Sequence, residues 1–183
     1  MLITGTAGGV GVTTVTALLF SVLARERAGA PRLHDHSGGE LGLRLPDGDE
    51  AARIDEGLVL HDLGAVGPVE PVWRLADPGQ LALLVTAATP LGCAAAAKLI
   101  TTVASEHGAP ALRRVVLVAV EVFGRHKIDP QLAALRAELG ADAVITVPRD
   151  PSLATGGRIP LPRLRPQTRR AIDRLAAAIK ARP

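Results

Sequence analysis

The segment that most limits how this chain can fold is GTAGGVGVTT, residues 5–14, set between an apolar run over residues 1–5 and a helical pattern over residues 13–27. A strand that ends in a glycine-rich turn and opens directly into a helix aims consecutive backbone N–H groups at one point. That point lies at the positive end of the helix dipole. Such a junction suits an anion, above all a phosphate. The helical part carries Val15, Leu18, Leu19, Val22 and Leu23 at spacings of three and four, with Thr13 or Thr14 as an early capping residue. Gly8, Gly9 and Gly11 also fit a plainer purpose, a tight strand-to-helix turn.

Strand and helix patterns then alternate. Residues 57–61, 80–86, 115–122 and 143–147 are short runs dense in Val, Leu and Ile, bounded by Gly, Pro or Asp, and read as strands buried on both faces. Between and after them, residues 91–106, 130–139 and 167–181 are predicted helices. In the last, Ile172, Leu175, Ala176 and Ile179 form one apolar stripe expected to pack on the sheet, with Arg169, Arg170 and Arg174 largely off it. Parallel strands need long crossovers, so the alternation predicts an α/β fold. Its expected form is a doubly wound, mostly parallel sheet of about six strands with helices on both faces. At 183 residues, 48% hydrophobic and 21% charged, one domain over residues 1–183 accounts for the chain. Residues 38–56 and the proline-dense 160–166 read as surface loops.

Composition excludes several classes of function. The single cysteine, Cys93, cannot form an internal disulfide and sits beside an alanine run, as a small core residue would. Residues 1–30 have no signal-type order of basic then apolar sequence, and the apolar runs fall short of the roughly 18–20 residues that cross a bilayer, so a cytoplasmic protein without membrane insertion is expected. Aromatic residues make up 2%, too few for a base-stacking platform. Arginine outnumbers lysine 18 to 3 and asparagine is absent, usage typical of a GC-rich bacterial genome. The net charge of +3 is unevenly spread: residues 145–183 hold eight Arg and one Lys against Asp150 and Asp173, whereas residues 47–56 hold five acids and Arg53. Arg158, Arg163, Arg165, Arg169, Arg170 and Arg174 are therefore candidates for an anionic partner, DNA included, or for a solvated face.

The glycine loop lacks its usual cation. A phosphate loop normally continues with a lysine for the terminal phosphates and a Ser or Thr hydroxyl for Mg²⁺. Here those positions are Val12 and Thr13. GTAGGVGVTT in this setting resembles the deviant Walker A loop of the ParA/MinD family of P-loop ATPases. The run LHDHSGGELGLRL, residues 33–45, resembles that family's second-strand motif, with Asp35 on the acidic position and Gly38 and Gly39 in the turn. LVLHDLG, residues 58–64, resembles the Walker B strand with Asp62 as its acid, and VITVPRDPSLATGGRIP resembles the late strand and loop that hold the base. The opening also resembles dethiobiotin synthetase, a relative of the same fold that depends on its loop lysine.

The departures from that resemblance point away from catalysis. The family's signature lysine falls on Ala7 and its second lysine on Val12, and the asparagine that helps read adenine has no counterpart. The short spacing between Asp35 and Asp62 suggests loss of the helices that form the switch and dimer surface. A charge-assisted hydrogen bond contributes about 1.5–3 kcal/mol, so the loss at Val12 alone should weaken nucleotide binding roughly 10- to 150-fold. Phosphoryl transfer, which rests on positioning and charge stabilisation, suffers more. The expected protein is a degenerate, non-catalytic P-loop protein, a pseudo-ATPase. Gly8, Gly9, Gly11, Val12, Thr13 and Thr14 would be its vestigial phosphate loop, and Asp35 and Asp62 its vestigial acids. No catalytic residue, bound cofactor or metal is expected, beyond weak ATP/Mg²⁺ or phosphate binding. Its expected role is as a scaffold or regulatory partner of another protein, an intact ATPase relative among the candidates, in a localisation, partition or secretion assembly. Two alternatives stay open: a weak nucleotide-binding ATPase completed by a partner's cation, and a basic nucleic-acid-binding module. The pairs His34-Asp35, with His36 behind, and His61-Asp62 offer metal-ligand chemistry, but strand alternation turns Asp35 away from His34 and His36.

Overall fold

A computed structural model describes residues 1–26, 30–38, 41–46, 54–65, 74–122 and 128–182. The described residues form a six-stranded sheet of β1 (Leu2–Gly5), β2 (Ala30–Asp35), β3 (Ile54–Asp62), β4 (Ala82–Ala87), β5 (Val115–Val120) and β6 (Val144–Val147). The order is β2-β3-β1-β4-β5-β6, and every pairing is parallel. The helices are α1 (Val12–Glu26), α2 (Leu41–Arg44), α3 (Pro90–His107), α4 (Ala109–Leu112), α5 (Asp129–Leu139), α6 (Pro151–Ala154) and α7 (Pro166–Lys180).

Strand alternation divides the core into two layers. In β4 and β5, Leu83, Val85, Val116 and Val118 face one side, where they join α1 and α7 through Leu18, Leu19, Ile172 and Leu175. Leu84, Val115, Leu117 and Ala119 face the other and meet α3 and α5 through Ile100, Val103, Leu132 and Leu135. The central strands β1 and β4 are buried along their whole length, as doubly covered parallel strands must be. Proline is tolerated in β2 because β2 is an edge strand, and its pairing with β3 is irregular at Pro31/Arg32. The α7 stripe packs as its periodicity requires, with Leu175 and Ala176 at 0% exposure, and α7 lies against α1 and β6. Thr89 caps α3 by accepting the Gly92 N–H at 3.1 Å, with Pro90 at the first helical position.

The loop expected over residues 38–56 is corrected in two places. Leu41–Arg44 forms one helical turn whose Leu41 is buried, and β3 begins at Ile54. Four residues are too few to display a period, and burial of Leu41 decides their conformation. Residues 160–166 contain a 3-10 turn, Leu161–Arg163, and the buried Leu164, with Pro166 opening α7. Gly39, residues 47–53 of the acidic stretch and Lys127 lie outside the described residues.

Candidate functional site

At the carboxyl edge of the sheet, β1 runs into the glycine loop and the loop into α1. Gly9 and Gly11 have φ of 74° and 94°, backbone that side-chain-bearing residues rarely adopt. Gly8 meets no such demand, since a Cβ there would touch nothing within 4 Å. The loop is pinned at its base: the Gly5 N–H donates to Gly64 O at 2.9 Å, the Thr6 N–H to Val85 O at 2.9 Å, and the Thr6 and Thr86 hydroxyls lie 2.8 Å apart. Among the described residues, the N–H groups of Gly8, Gly9 and Gly11 donate to no backbone carbonyl, so an anion cradle is present in form.

Val12 does not extend over that cradle. Its side chain is 6% exposed and belongs to the core, and a Cβ on Gly5 would lie 2.7 Å from Val12 Cγ2. The cation position is therefore taken by a packed hydrocarbon side chain. Because α1 begins at Val12, Thr13 and Thr14 are first-turn residues rather than caps, half-buried beside the groove. The groove over the loop has a volume of about 530 Å³, bounded by Ala7, Thr13, Ser37, Arg44, Ala65 and Gly157. A neighbouring cavity of about 220 Å³ shares Gly9, Gly11 and Thr14 with it and extends to Val120, Pro148 and Arg149.

Sequence reasoning missed Arg44. From the end of α2 its guanidinium donates to Gly157 O at 3.1 Å, to Leu153 O at 3.2 Å and to the Thr14 hydroxyl at 2.5 Å. The Ile159 N–H donates to Arg44 O at 3.2 Å. Arg44 thus straps α2 to α1 and to the segment after β6, across one wall of the groove. Thr14 lies 30 residues away and Leu153 and Gly157 more than a hundred, so only an arginine in an apparent loop could have hinted at it.

Asp35 and Asp62 end adjacent strands and are register partners, as the motifs require. Their environments differ. Asp35 is exposed and turns the chain into α2: Oδ1 accepts the Ser37 N–H and hydroxyl, both at 2.8 Å, and Oδ2 accepts the Leu41 N–H at 3.2 Å. Asp62 is fully buried; Oδ1 accepts the Gly64 N–H at 2.9 Å and Oδ2 has no hydrogen-bond partner. Burial pushes its carboxyl above the usual range, opposed by the Gly64 N–H and by the nearby Thr13 hydroxyl. A nucleotide with Mg²⁺ is what such a fold implies, and the residues fit it only in part. The N–H cradle, the Thr13 hydroxyl and the orphaned Asp62 oxygen suit a phosphate group and a cation. Ala7 and the buried Val12 leave the terminal phosphates without the loop cations that neutralise them.

Three histidines also meet at this edge, on the sheet face opposite Asp35 and Asp62. His34 is the register partner of His61, and His36 follows two residues on from His34. Their ring nitrogens lie within 4.8 Å of one another. Sequence reasoning set His34-Asp35, with His36 behind, and His61-Asp62 at the ends of neighbouring strands but looked for ligands in mixed His-Asp pairs, whereas register brings the three imidazoles together. Burial, with the N-terminal ammonium, the other two histidines and Arg74, lowers the His61 pKa to about 4.

The six C-terminal arginines are exposed, and two of them line different grooves. Arg169 lines a groove with Leu18 and Pro162, whereas Arg174 lines a different one with Arg136 and Asp142. Arg158 lies on the segment after α6, Arg163 in the 3-10 turn, and Arg165 and Arg170 flank the start of α7. Among the described residues no helix is long and apolar enough to cross a membrane. Cys93 is buried, which raises its thiol pKa.

No protein-family model matches the chain, and no curated protein matches it in sequence. Among solved structures it is similar to a ParA family ATPase from Chlorobium tepidum TLS, with a TM-score of 0.64 and 16% identity over 96% of this chain and 97% of that one. Since that neighbour is covered almost completely, the expectation of a shortened chain finds no support in the comparison. The shared architecture is the ParA-like P-loop fold, a six-stranded parallel sheet with helices on both faces.

Proposed function

We propose that this chain is a non-catalytic P-loop-fold protein, a scaffold or regulatory partner whose output is contact with another protein. The observation that carries the reading is the burial of Val12 at 6% exposure under a loop whose other cation position is Ala7. Phosphoryl transfer depends on charge placed at the terminal phosphates, and this loop offers backbone dipoles and hydrocarbon there. Arg44 supports the same reading, because its guanidinium is engaged in holding the groove's walls together. The setting, a bacterial localisation, partition or secretion assembly with an intact ATPase relative as partner, rests on likeness to the ParA family ATPase.

One observation favours a second reading, weak nucleotide binding completed by a partner's cation. Asp62 keeps a buried, unpartnered oxygen near Thr13, where a divalent ion would satisfy it. Calorimetry of the full chain with ATP and Mg²⁺ separates the two. Absence of heat at micromolar nucleotide supports the first, and saturable micromolar binding supports the second. A nucleic-acid role for the C-terminal arginines would show as salt-sensitive DNA binding in the same instrument.

A further inference from the structure

We propose that His34, His36 and His61 form a binding site for a divalent transition-metal ion of the zinc class, distinct from the glycine-loop groove. His34 lies in β2 and His36 one residue past its end, where its N–H still donates to Asp62 O at 2.8 Å. Alternation therefore puts the two on one face, and the in-register pairing of β2 with β3 sets His61 opposite His34. His36 Nε2 and His61 Nδ1 lie 3.1 Å apart. Two nitrogens bound tetrahedrally at about 2.0–2.1 Å from one ion are separated by about 3.3 Å, so this pair already stands at chelating distance. The third imidazole is close: the His34 and His61 ring centroids are 5.0 Å apart and all three ligand atoms fall within 4.8 Å. His34 and His36 are exposed, so small rotamer changes complete the triad and the ion has an entry path from solvent.

Three neutral imidazoles select for Zn²⁺, Cu²⁺, Ni²⁺ or Co²⁺ over Mg²⁺ and Ca²⁺, which prefer oxygen. Three protein ligands leave at least one position for water or an incoming group. The charges around the site are mixed. The Met1 ammonium, held by Val59 O at 2.7 Å, and Arg74 oppose a cation, while Asp35 and Asp62 on the other face of the same strands favour one. Because β2 is an edge strand, an ion here would tie it to β3.

The test uses the full chain, free of any histidine tag and stripped with chelator, titrated with Zn²⁺ and separately with Mg²⁺ by calorimetry, and with Co²⁺ by visible absorption. The expected result is one Zn²⁺ per chain with micromolar or tighter affinity, no Mg²⁺ heat, and the intense d–d bands of tetrahedral Co²⁺. His61→Ala should weaken Zn²⁺ binding by about tenfold or more, as should the surface variant His36→Ala, which keeps the test decisive if His61→Ala fails to fold. His107→Ala, outside the triad, should leave affinity unchanged. Zn²⁺ binding that survives removal of His36 and His34 together, or no binding below millimolar Zn²⁺, would overturn the site. Neither result bears on nucleotide binding at the glycine loop, so the two readings fail independently.

Discussion

Two buried carboxylates stand at the carboxyl edge of the sheet, and they are held in opposite ways. Asp150, after β6, is 4% exposed and fully employed: Oδ1 accepts the Ser152 N–H at 3.0 Å to cap α6, and Oδ2 accepts the Arg165 N–H at 2.8 Å to fix the entry into α7. Burial pushes its carboxyl up, but the Arg165 and Ser152 donors, with the Thr168 hydroxyl nearby, outweigh it and hold the pKa below the usual range. Asp62, after β3, is 0% exposed, with one oxygen bonded to Gly64 and the other to nothing, and its pKa is raised. A fold selected for stability alone leaves few such atoms. The β6 side of the groove is therefore framework, and the β3 side keeps the geometry of a site.

The sharpest way to break this contrast is to remove each acid. Asp150→Ala loses a helix cap and strands the Arg165 N–H, and should cost about 2–3 kcal/mol by urea unfolding. The pH dependence follows from the lowered pKa. Asp150 contributes stability above the ordinary carboxylate range near pH 4, and that contribution is lost as pH falls through its folded pKa. The variant's melting temperature should accordingly fall less than that of the wild type on acidification. An unchanged melting temperature in Asp150→Ala at neutral pH would remove the framework role.

Arg44→Ala should have a smaller effect, about 1 kcal/mol, since it releases hydrogen bonds that are partly exposed. A loss larger than that of Asp150→Ala would make the strap, rather than the late loop, the main brace of the groove. Asp62→Asn should have the smallest effect and the opposite sign. A raised folded pKa means that the charged form destabilises the fold above that pKa, and that the penalty vanishes below the unfolded value near pH 4. The substitution should therefore stabilise the protein at pH 7 by up to about 1 kcal/mol and be neutral near pH 3, read by thermal melts at the two pH values. Destabilisation at pH 7 would show that the Asp62 charge is already compensated.

What the sequence discloses here follows from how local each signal is. The apolar runs of β4 and β5 and the stripe of Ile172, Leu175, Ala176 and Ile179 carry their own period, so the sheet and α7 are legible. The glycine loop is legible because strand, turn and helix adjoin. The turn at Leu41–Arg44 is not, since it is too short for periodicity and is fixed by the burial of Leu41. The inward course of Val12 depends on packing against Gly5, and the Arg44 strap depends on partners beyond β6. The histidine triad depends on the register of β2 with β3, which pairs His34 with His61 and cannot be read from either segment alone.

The central claim is that the loop keeps its shape and has lost its chemistry, and hydrolysis of ATP with Mg²⁺ by the purified chain, wild type beside Val12→Lys, tests it most directly. Val12→Lys exchanges a core contact for an ammonium at the helix start, so the variant should melt lower than the wild type by about 1–3 kcal/mol of stability. It should also gain a small ATP-dependent thermal shift that the wild type lacks at millimolar nucleotide. Neither protein should release phosphate faster than buffer. A wild-type rate clearly above buffer would contradict the account, because a loop with Ala7 and Val12 in its cation positions would then be catalysing phosphoryl transfer.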